Sequence, residues 1–345
     1  MVTTTSMTTT SMTTSSDSAW TRAVKVIDGA SQVCLACHVR PDADALGSML
    51  AVLHALRGRP HGAPAVVASF GDNPFEVPAI LRFLPGVELL TRPDDYPSRP
   101  EVMVSFDAAS IDRLGALTGP AQSAGELIVL DHHASNPGFG TINLVDPAAA
   151  ATAVVAAQLI DRLSVPLTPQ IALGLYAGLS TDTGSFKFSA TTPQVHELAA
   201  RLLATGIDPG VVSRELYDRA PFSYLSLLAA ALSRAVLEPD VAAGLGMVWT
   251  TVTTSDRAAA GLPLDSAESV IDEIRRTDEA EVAVVLKEDD AGVWQVSLRS
   301  KSLVDVGAIA TELGGGGHAR AAGFSAPGGA GAAIAAIREL LDRQK

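Results

Sequence analysis

His38, Asp42 and Asp44 stand close together in the stretch "CLACHVRPDADALGS", residues 34–48. Two chemistries are compatible with it. Cys34-Leu35-Ala36-Cys37-His38 has the C-x-x-C-H pattern of covalent haem attachment. The same His38, with Asp42 and Asp44, offers instead an imidazole and two carboxylates on one turn. Further along, Asp107 closes an apolar run at 102–106, Asp131-His132-His133 closes another at 127–130, and Asp182 stands in "STDTGSF". Carboxylates and imidazoles without thiolates favour Mn²⁺, Fe²⁺, Zn²⁺ or Mg²⁺ over soft metals. The two-residue offset of Asp42 and Asp44 can aim them at different cations, and a carboxylate such as Asp107 can bridge a pair about 3.5–4 Å apart. Such a pair activates water at neutral pH and clamps a phosphoryl group for in-line displacement. Taken singly, each residue has a plainer explanation. An Asp at a strand end is commonly a turn residue or helix cap, and Asp42 and Asp44 adjoin a helix they could cap. Gathered in one crevice, however, these carboxylates would repel one another, and cations would relieve that.

The haem alternative is weak on the same residues. The chain has 2 cysteines, which excludes a disulfide framework. Both lie in an apolar run, residues 33–37, with the composition of a buried strand, where free cysteine is a small core residue. Residues 1–18, rich in Ser, Thr and Met, have neither a basic n-region nor an apolar h-region, and read as a disordered tail rather than a signal peptide. No apolar run is long enough to span a bilayer, so no membrane partner is expected and the cytoplasm is the default location. A c-type haem is attached outside the cytoplasm. The formal net charge of −13 lacks the basic footprint of proteins that grip long nucleic acids, so no long duplex partner is expected. An anionic substrate should be short and held locally by metals or a few Arg and Lys side chains.

These residues need a scaffold that brings them together. At 345 residues the chain has room for two domains. From about residue 20 to 190, apolar runs at 33–39, 65–70, 102–106 and 127–130 alternate with helical stretches such as 43–57. That alternation predicts an α/β domain with a mostly parallel sheet. Its ligands would sit at the carboxyl ends of the strands, where open α/β sheets bind theirs. Helices are predicted at 151–163 and 168–179, with Asp182 following the second. Residues 191–240 read as a helical connector opened by Thr192-Pro193, an N-cap followed by proline, and broken at Gly206 and Pro209. A smaller α/β domain is predicted over 241–345, with apolar segments at 246–252, 281–286 and 293–298 and helices at 267–276, 304–313 and 330–343. No internal repeat is visible.

In that order, "HVRPDADALGS", "SFDAAS", "LDHHASNPGFG" and "STDTGSF" resemble the four motifs of the DHH phosphoesterase superfamily. "LRSKSLVDVGAIATELGGGGHARAAGF" resembles its associated C-terminal substrate domain. The resemblance extends from about residue 25 to 340 and is closest to the short two-domain members of the nanoRNase and 3′-phosphoadenosine-5′-phosphate phosphatase type. It implies a DHH metal-binding domain over 19–190, a substrate-binding domain over 241–345 and an active cleft between them. It further implies two divalent metal ions, with Mn²⁺ our choice. His38, Asp42 and Asp107 match one metal site. Asp44, Asp107, His132 and Asp182 match the other, with Asp107 bridging. His133 matches the histidine facing the scissile phosphate, as phosphate binder or proton donor, and Asp131 a partner that orients an imidazole. Arg299, Ser300, Gly316, His318 and Arg320 match the substrate side.

The glycine run at 314–317 in isolation suggests a linker. Here His318 and Arg320 follow it at once; glycine lets a backbone approach a ligand closely and Arg offers bidentate phosphate contact, so a substrate loop is expected. One segment departs from the family pattern. "DPAAAATAVVAAQL" is almost wholly small and apolar where relatives often carry Ser and Glu, and its residues are read as non-catalytic. The implied function is hydrolysis of short nucleotides: dinucleotides, short RNA, 3′-phosphoadenosine 5′-phosphate and, by extension, cyclic dinucleotides. The resemblance is also compatible with a homodimer. The alternatives are a manganese inorganic pyrophosphatase, which shares the N-terminal motifs, a long-strand exonuclease, and a non-catalytic cyclic-dinucleotide sensor. The "LRSK" stretch and the glycine run favour a nucleotide over pyrophosphate, and the complete ligand inventory favours an enzyme over a sensor.

Overall fold

The computed structural model describes residues 12–59 and 62–343, with side chains from residue 18. Most of the expected N-terminal tail lies outside the described residues, and its last part, from Met12, already belongs to a helix. The chain divides into two compact units after Arg219.

The first unit runs α1 (Met12–Gly29), β1 (Gln32–Cys37), α2 (Ala43–Arg57), β2 (Ala65–Phe70), β3 (Val102–Phe106), α3 (Thr118–Ser123), β4 (Glu126–Asp131), β5 (Ile142–Val145), α4 (Thr152–Arg162), α5 (Pro169–Asp182), α6 (Pro193–Leu203) and α7 (Pro209–Tyr217). Its five strands form one sheet in the order β2-β1-β3-β4-β5, parallel throughout. The three central strands are buried along nearly their whole length. Parallel strands covered on both faces read as unbroken apolar runs, which is why these were legible in the sequence. Strand β5 was not. It is short, alternates buried with half-buried residues and sits at the sheet edge.

Cys37 pairs with Phe106, and Phe106 with Leu130. His38, Asp107 and Asp131 therefore emerge side by side at the carboxyl edge of the sheet's centre. Both cysteines are wholly buried free thiols in β1. Burial raises the Cys34 pKa to about 11 and that of Cys37 well above its usual value. Neither is placed to react, which removes the haem alternative.

Helices α2 and α5 pack backbone to backbone. A Cβ on Gly47 would lie 2.4 Å from the Gly174 carbonyl oxygen, and one on Gly174 2.5 Å from that of Gly47. Asp44 begins α2 and Asp182 ends α5, so this close crossing sets how two acidic side chains face each other. Asp182 is the last residue of α5 rather than a residue beyond it, because the helix continues past Leu179. Thr192 caps α6 as predicted, its side chain accepting from Val195 N.

The second unit contains α8 (Tyr224–Leu232), β6 (Val236–Glu238), β7 (Met247–Val252), α9 (Thr254–Ala260), α10 (Val270–Ile274), β8 (Val282–Glu288), β9 (Trp294–Ser300), α11 (Val306–Glu312), β10 (Gly316–His318), β11 (Ala321–Ala326) and α12 (Ala330–Arg343). The sheet order is β10-β11-β9-β8-β7-β6, mixed in direction. Residues 191–240, expected to be a helical connector, also hold the edge strand β6. The expected substrate loop at the glycine run is a strand. Gly316–His318 pairs antiparallel with β11, and at Gly317, with φ of 137°, a Cβ would lie 2.6 Å from the Ala321 carbonyl oxygen.

Candidate metal centre

The carboxyl edge of the first sheet gathers acidic and imidazole groups into three adjoining sets. They are His38 with Asp42 and Asp107; Asp44 with His132 and Asp182; and Asp107 with Asp131 and His133. Within each set the ligand atoms lie within 4.8 Å of one another. Asp107 joins the first two sets. Its Oδ2 is 3.5 Å from His38 Nε2 and its Oδ1 3.5 Å from His132 Nε2. His38 Nε2 also lies 3.7 Å from Asp42 Oδ2, and His132 Nε2 3.2 Å from Asp182 Oδ2 and 3.9 Å from Asp44 Oδ2.

The backbone aims these groups. Asp107, just past the end of β3, has φ of 56°, a left-handed conformation that Asp tolerates better than most residues and that clusters at functional sites. His38 Nδ1 is 2.8 Å from the Val39 carbonyl oxygen and His132 Nδ1 3.2 Å from that of Ala149. With each Nδ1–H donating to its carbonyl, each Nε2 is turned toward the carboxylates, the arrangement by which metal-ligating imidazoles are fixed. Asp42 has a second task, accepting from Asp44 N and Ala45 N as the N-cap of α2.

Several holding groups come from residues that composition gave no reason to single out. Asp44 is wholly buried and accepts from Thr152 N (2.6 Å), Ala153 N (2.8 Å) and the Ser48 hydroxyl (3.2 Å). The Thr152 hydroxyl donates to Asp107 Oδ1 at 2.8 Å. The segment read as non-catalytic, "DPAAAATAVVAAQL", nevertheless orients Asp44, Asp107 and His132, mostly through main-chain atoms. Gly178 leaves room for Asp44, whose Oδ1 would lie 2.5 Å from a Cβ there. Asp131, also wholly buried, has its Oδ1 2.7 Å from His133 Nδ1, while Oδ2 accepts from Asn136 Nδ2 at 2.6 Å. Asp131 thus orients His133, with its two oxygens taken up by His133 and Asn136.

The electrostatics ask for positive charge. Burial raises the Asp44 carboxyl well above its usual range, and Asp182 and Asp107 raise it further. Burial pushes Asp182 up to about 6 against the pull of His132. Burial disfavours protonated His132 and His38, yet Asp182 and Asp107 lift the first to about 11, and Asp107 and Asp42 lift the second to about 10. Crowded carboxylates that hold protons, or protonate their neighbours, are what divalent cations replace, and an oxygen-and-imidazole donor set suits hard or borderline metals.

The second unit collects its predicted residues toward one edge of its sheet. Arg299 and Ser300 end β9, Gly316 and His318 lie on β10, and Arg320 is in the turn to β11. Arg299 pairs with Ala321, and His318 with Ala321 across the next ladder. The Ser300 hydroxyl and Arg320 Nη1 both donate to the Val304 carbonyl oxygen, at 2.7 and 2.6 Å. Buried Glu281 holds the same loop by accepting from the main-chain N–H of Ser302, Leu303 and Val304.

Comparison with known proteins agrees with this geometry. Residues 32–179 match the DHH family N-terminal domain and residues 252–344 the DHHA1 domain. The chain is 35% identical to the bifunctional oligoribonuclease and PAP phosphatase NrnA of Thermus thermophilus, over 88% of this chain and 86% of that one. It is 24% identical to the protein of the same name from Bacillus subtilis, over 88% and 92%. The fold matches an exopolyphosphatase-related protein of Bacteroides fragilis with a TM-score of 0.83 at 23% identity, covering 95% of this chain and 96% of that one. DHH phosphoesterases are metal-dependent, and the acidic residues of this site could bind metal. The chain belongs to the DHH phosphoesterase superfamily, and within it to the nanoRNase type that joins a DHH to a DHHA1 domain.

Proposed function

We propose that the protein is a two-metal phosphoesterase acting on short nucleotides, converting short oligoribonucleotides and linear dinucleotides to mononucleotides and 3′-phosphoadenosine 5′-phosphate to AMP. The observation that carries this is the pair of ligand sets joined through the two oxygens of Asp107, on a chain alike over most of its length to an oligoribonuclease and PAP phosphatase. His38, Asp42 and Asp107 would hold one cation and Asp44, Asp107, His132 and Asp182 the other, with Mn²⁺ our assignment. Once bound, two such cations make water nucleophilic at neutral pH and offset charge on the attacking and leaving oxygens.

The chain's own groups do the rest. Burial opposes protonation of His133, but its contact with Asp131 and the nearby charge of Asp107 raise its pKa. Asp131 orients the ring through Nδ1, and Nε2 is the atom that would meet a phosphoryl oxygen or pass a proton to the leaving oxygen. Arg299, Ser300, Gly316, His318 and Arg320 would hold the far end of the nucleotide, where guanidinium groups suit a second phosphate.

The test is turnover of pApA and 3′-phosphoadenosine 5′-phosphate by the Mn²⁺-loaded protein, followed as release of AMP, beside Asp107→Asn. The variant should lose both turnover and bound metal. Near-normal turnover by Asp107→Asn would overturn the assignment.

A further inference from the structure

Arg113 brings to this edge a cation that neither ligand set uses. It lies in the 3-10 segment Ile111–Leu117 after β3. Its carbonyl oxygen accepts from Val39 N at 2.8 Å, and its Nη2 stands 3.4 Å from His38 Nδ1. In the tautomer that orients His38, that imidazole nitrogen donates to the Val39 carbonyl oxygen. Two donors face each other there, so the guanidinium is adjacent to His38 without gaining a hydrogen bond from it. Among the described residues no carboxylate comes within the 4.0 Å of an ion pair with Arg113. Asp42, Asp107 and Asp72 act on it only from farther away, while burial and the neighbouring Arg40 lower its pKa. Asp72 is engaged with the main chain, accepting from Arg40 N at 2.7 Å.

Charge balance then decides what Arg113 is for. The two proposed ligand sets contain four carboxylates, Asp42, Asp44, Asp107 and Asp182, which two divalent cations neutralise. With the cations seated, Asp42 and Asp107 no longer compensate Arg113 and Arg40, and Asp72, already accepting from Arg40 N, is the one of the three carboxylates left to act on Arg113. A half-buried guanidinium is costly without a partner, and the anion such a site attracts is a phosphoryl group, which accepts from guanidinium in fork geometry.

We propose that Arg113 is a phosphate-binding residue whose guanidinium donates to a non-bridging oxygen of the phosphoryl group held at His38, Asp42 and Asp107, with Arg40 adding to the local positive potential. This rests on the phosphoesterase reading, and it assigns the side chain a part separate from its carbonyl, which any substitution keeps.

The test uses the full-length Mn²⁺-loaded protein with Arg113→Gln and Arg113→Lys, measuring metal per chain, calorimetric affinity for inorganic phosphate, and kcat and KM on pApA. Arg113→Gln should retain wild-type metal content while phosphate affinity falls by about tenfold to a hundredfold, the worth of a hydrogen bond to a charged group. Arg113→Lys, which keeps the charge and loses the fork, should fall between. Unchanged phosphate affinity in Arg113→Gln would overturn the proposal, as would failure of the wild type to bind phosphate. Loss of metal from Arg113→Gln would also overturn it, because Arg113 would then be supporting His38. Phosphate affinity is read without turnover, so a wild type that binds metal and phosphate but never cleaves nucleotide would sink the functional reading while the Arg113 comparison still stands or falls by titration.

Discussion

Thr152 shows what one residue contributes at this site. Its amide holds Asp44 and its hydroxyl holds Asp107, so a single position touches both ligand sets. Thr152→Val keeps the shape and the amide but removes the hydroxyl. Loss of such a partner behind a metal ligand typically costs 10–100-fold in metal affinity or activity, and that is the expected fall in kcat/KM, accompanied by weaker Mn²⁺ binding. Thr152→Ser should restore most of both. A Thr152→Val enzyme with unchanged metal affinity would remove Thr152 from the account. The proposed ligands were legible in the sequence because Asp and His at strand ends are few and chemically distinctive. Thr152, the Ala149 carbonyl and the Ala153 amide were not, since main-chain donors carry no mark of residue type. Asn136, which steadies Asp131, was equally hidden, lying within a motif whose other members drew the attention.

At the scale of elements, the longer apolar strands of the first sheet were readable, the edge strand β2 among them, and the short edge strands of both sheets were not. Strands β1, β3 and β4 are enclosed and therefore apolar from end to end. The edge strands β5, β6 and β10 are short, and β10 consists of two glycines and a histidine that read as a loop until pairing with β11 is seen. The crossing of α2 and α5 makes a direct prediction. Gly174→Ala places a methyl group against the Gly47 backbone, and overpacking of this kind costs about 1–3 kcal/mol. A lowered Tm together with weaker Mn²⁺ binding is expected, since the crossing holds Asp44 and Asp182; a lowered Tm with intact metal affinity would show that the site tolerates the shift.

In the second unit, Glu238 of β6 accepts from Arg338 Nε and Nη2 of α12 at 2.7 and 2.6 Å and from Trp249 Nε1 at 2.5 Å. Arg338, aided by Trp249 and opposed by burial, lowers its pKa. A depressed carboxyl pKa contributes stability that is present above the unfolded value, about 4.3 for Glu, and is lost as pH falls through the folded value. Thermal melts across the acid range should therefore show that Glu238→Gln flattens part of the wild-type loss of Tm below that pH. Parallel curves would show that the contact is not coupled to folding.

For the molecule as a whole, charge and metal chemistry point to the same class of substrate. A chain of formal net charge −13 repels long polyanions at a distance, and its cations are placed locally: Arg113 and Arg40 near His38 in one unit, Arg299 and Arg320 on neighbouring parts of the other. Short nucleotides can meet such local groups without the long-range field that long strands depend on. Among the described residues no helix is long and apolar enough to cross a membrane. The most direct test is Mn²⁺-dependent turnover of pApA, RNA oligomers of rising length and pyrophosphate, resolved by chromatography. Turnover should be fastest for pApA, fall steeply with oligomer length and leave pyrophosphate intact. Turnover of pyrophosphate alone, or rates that rise with RNA length, would contradict a short-nucleotide phosphoesterase.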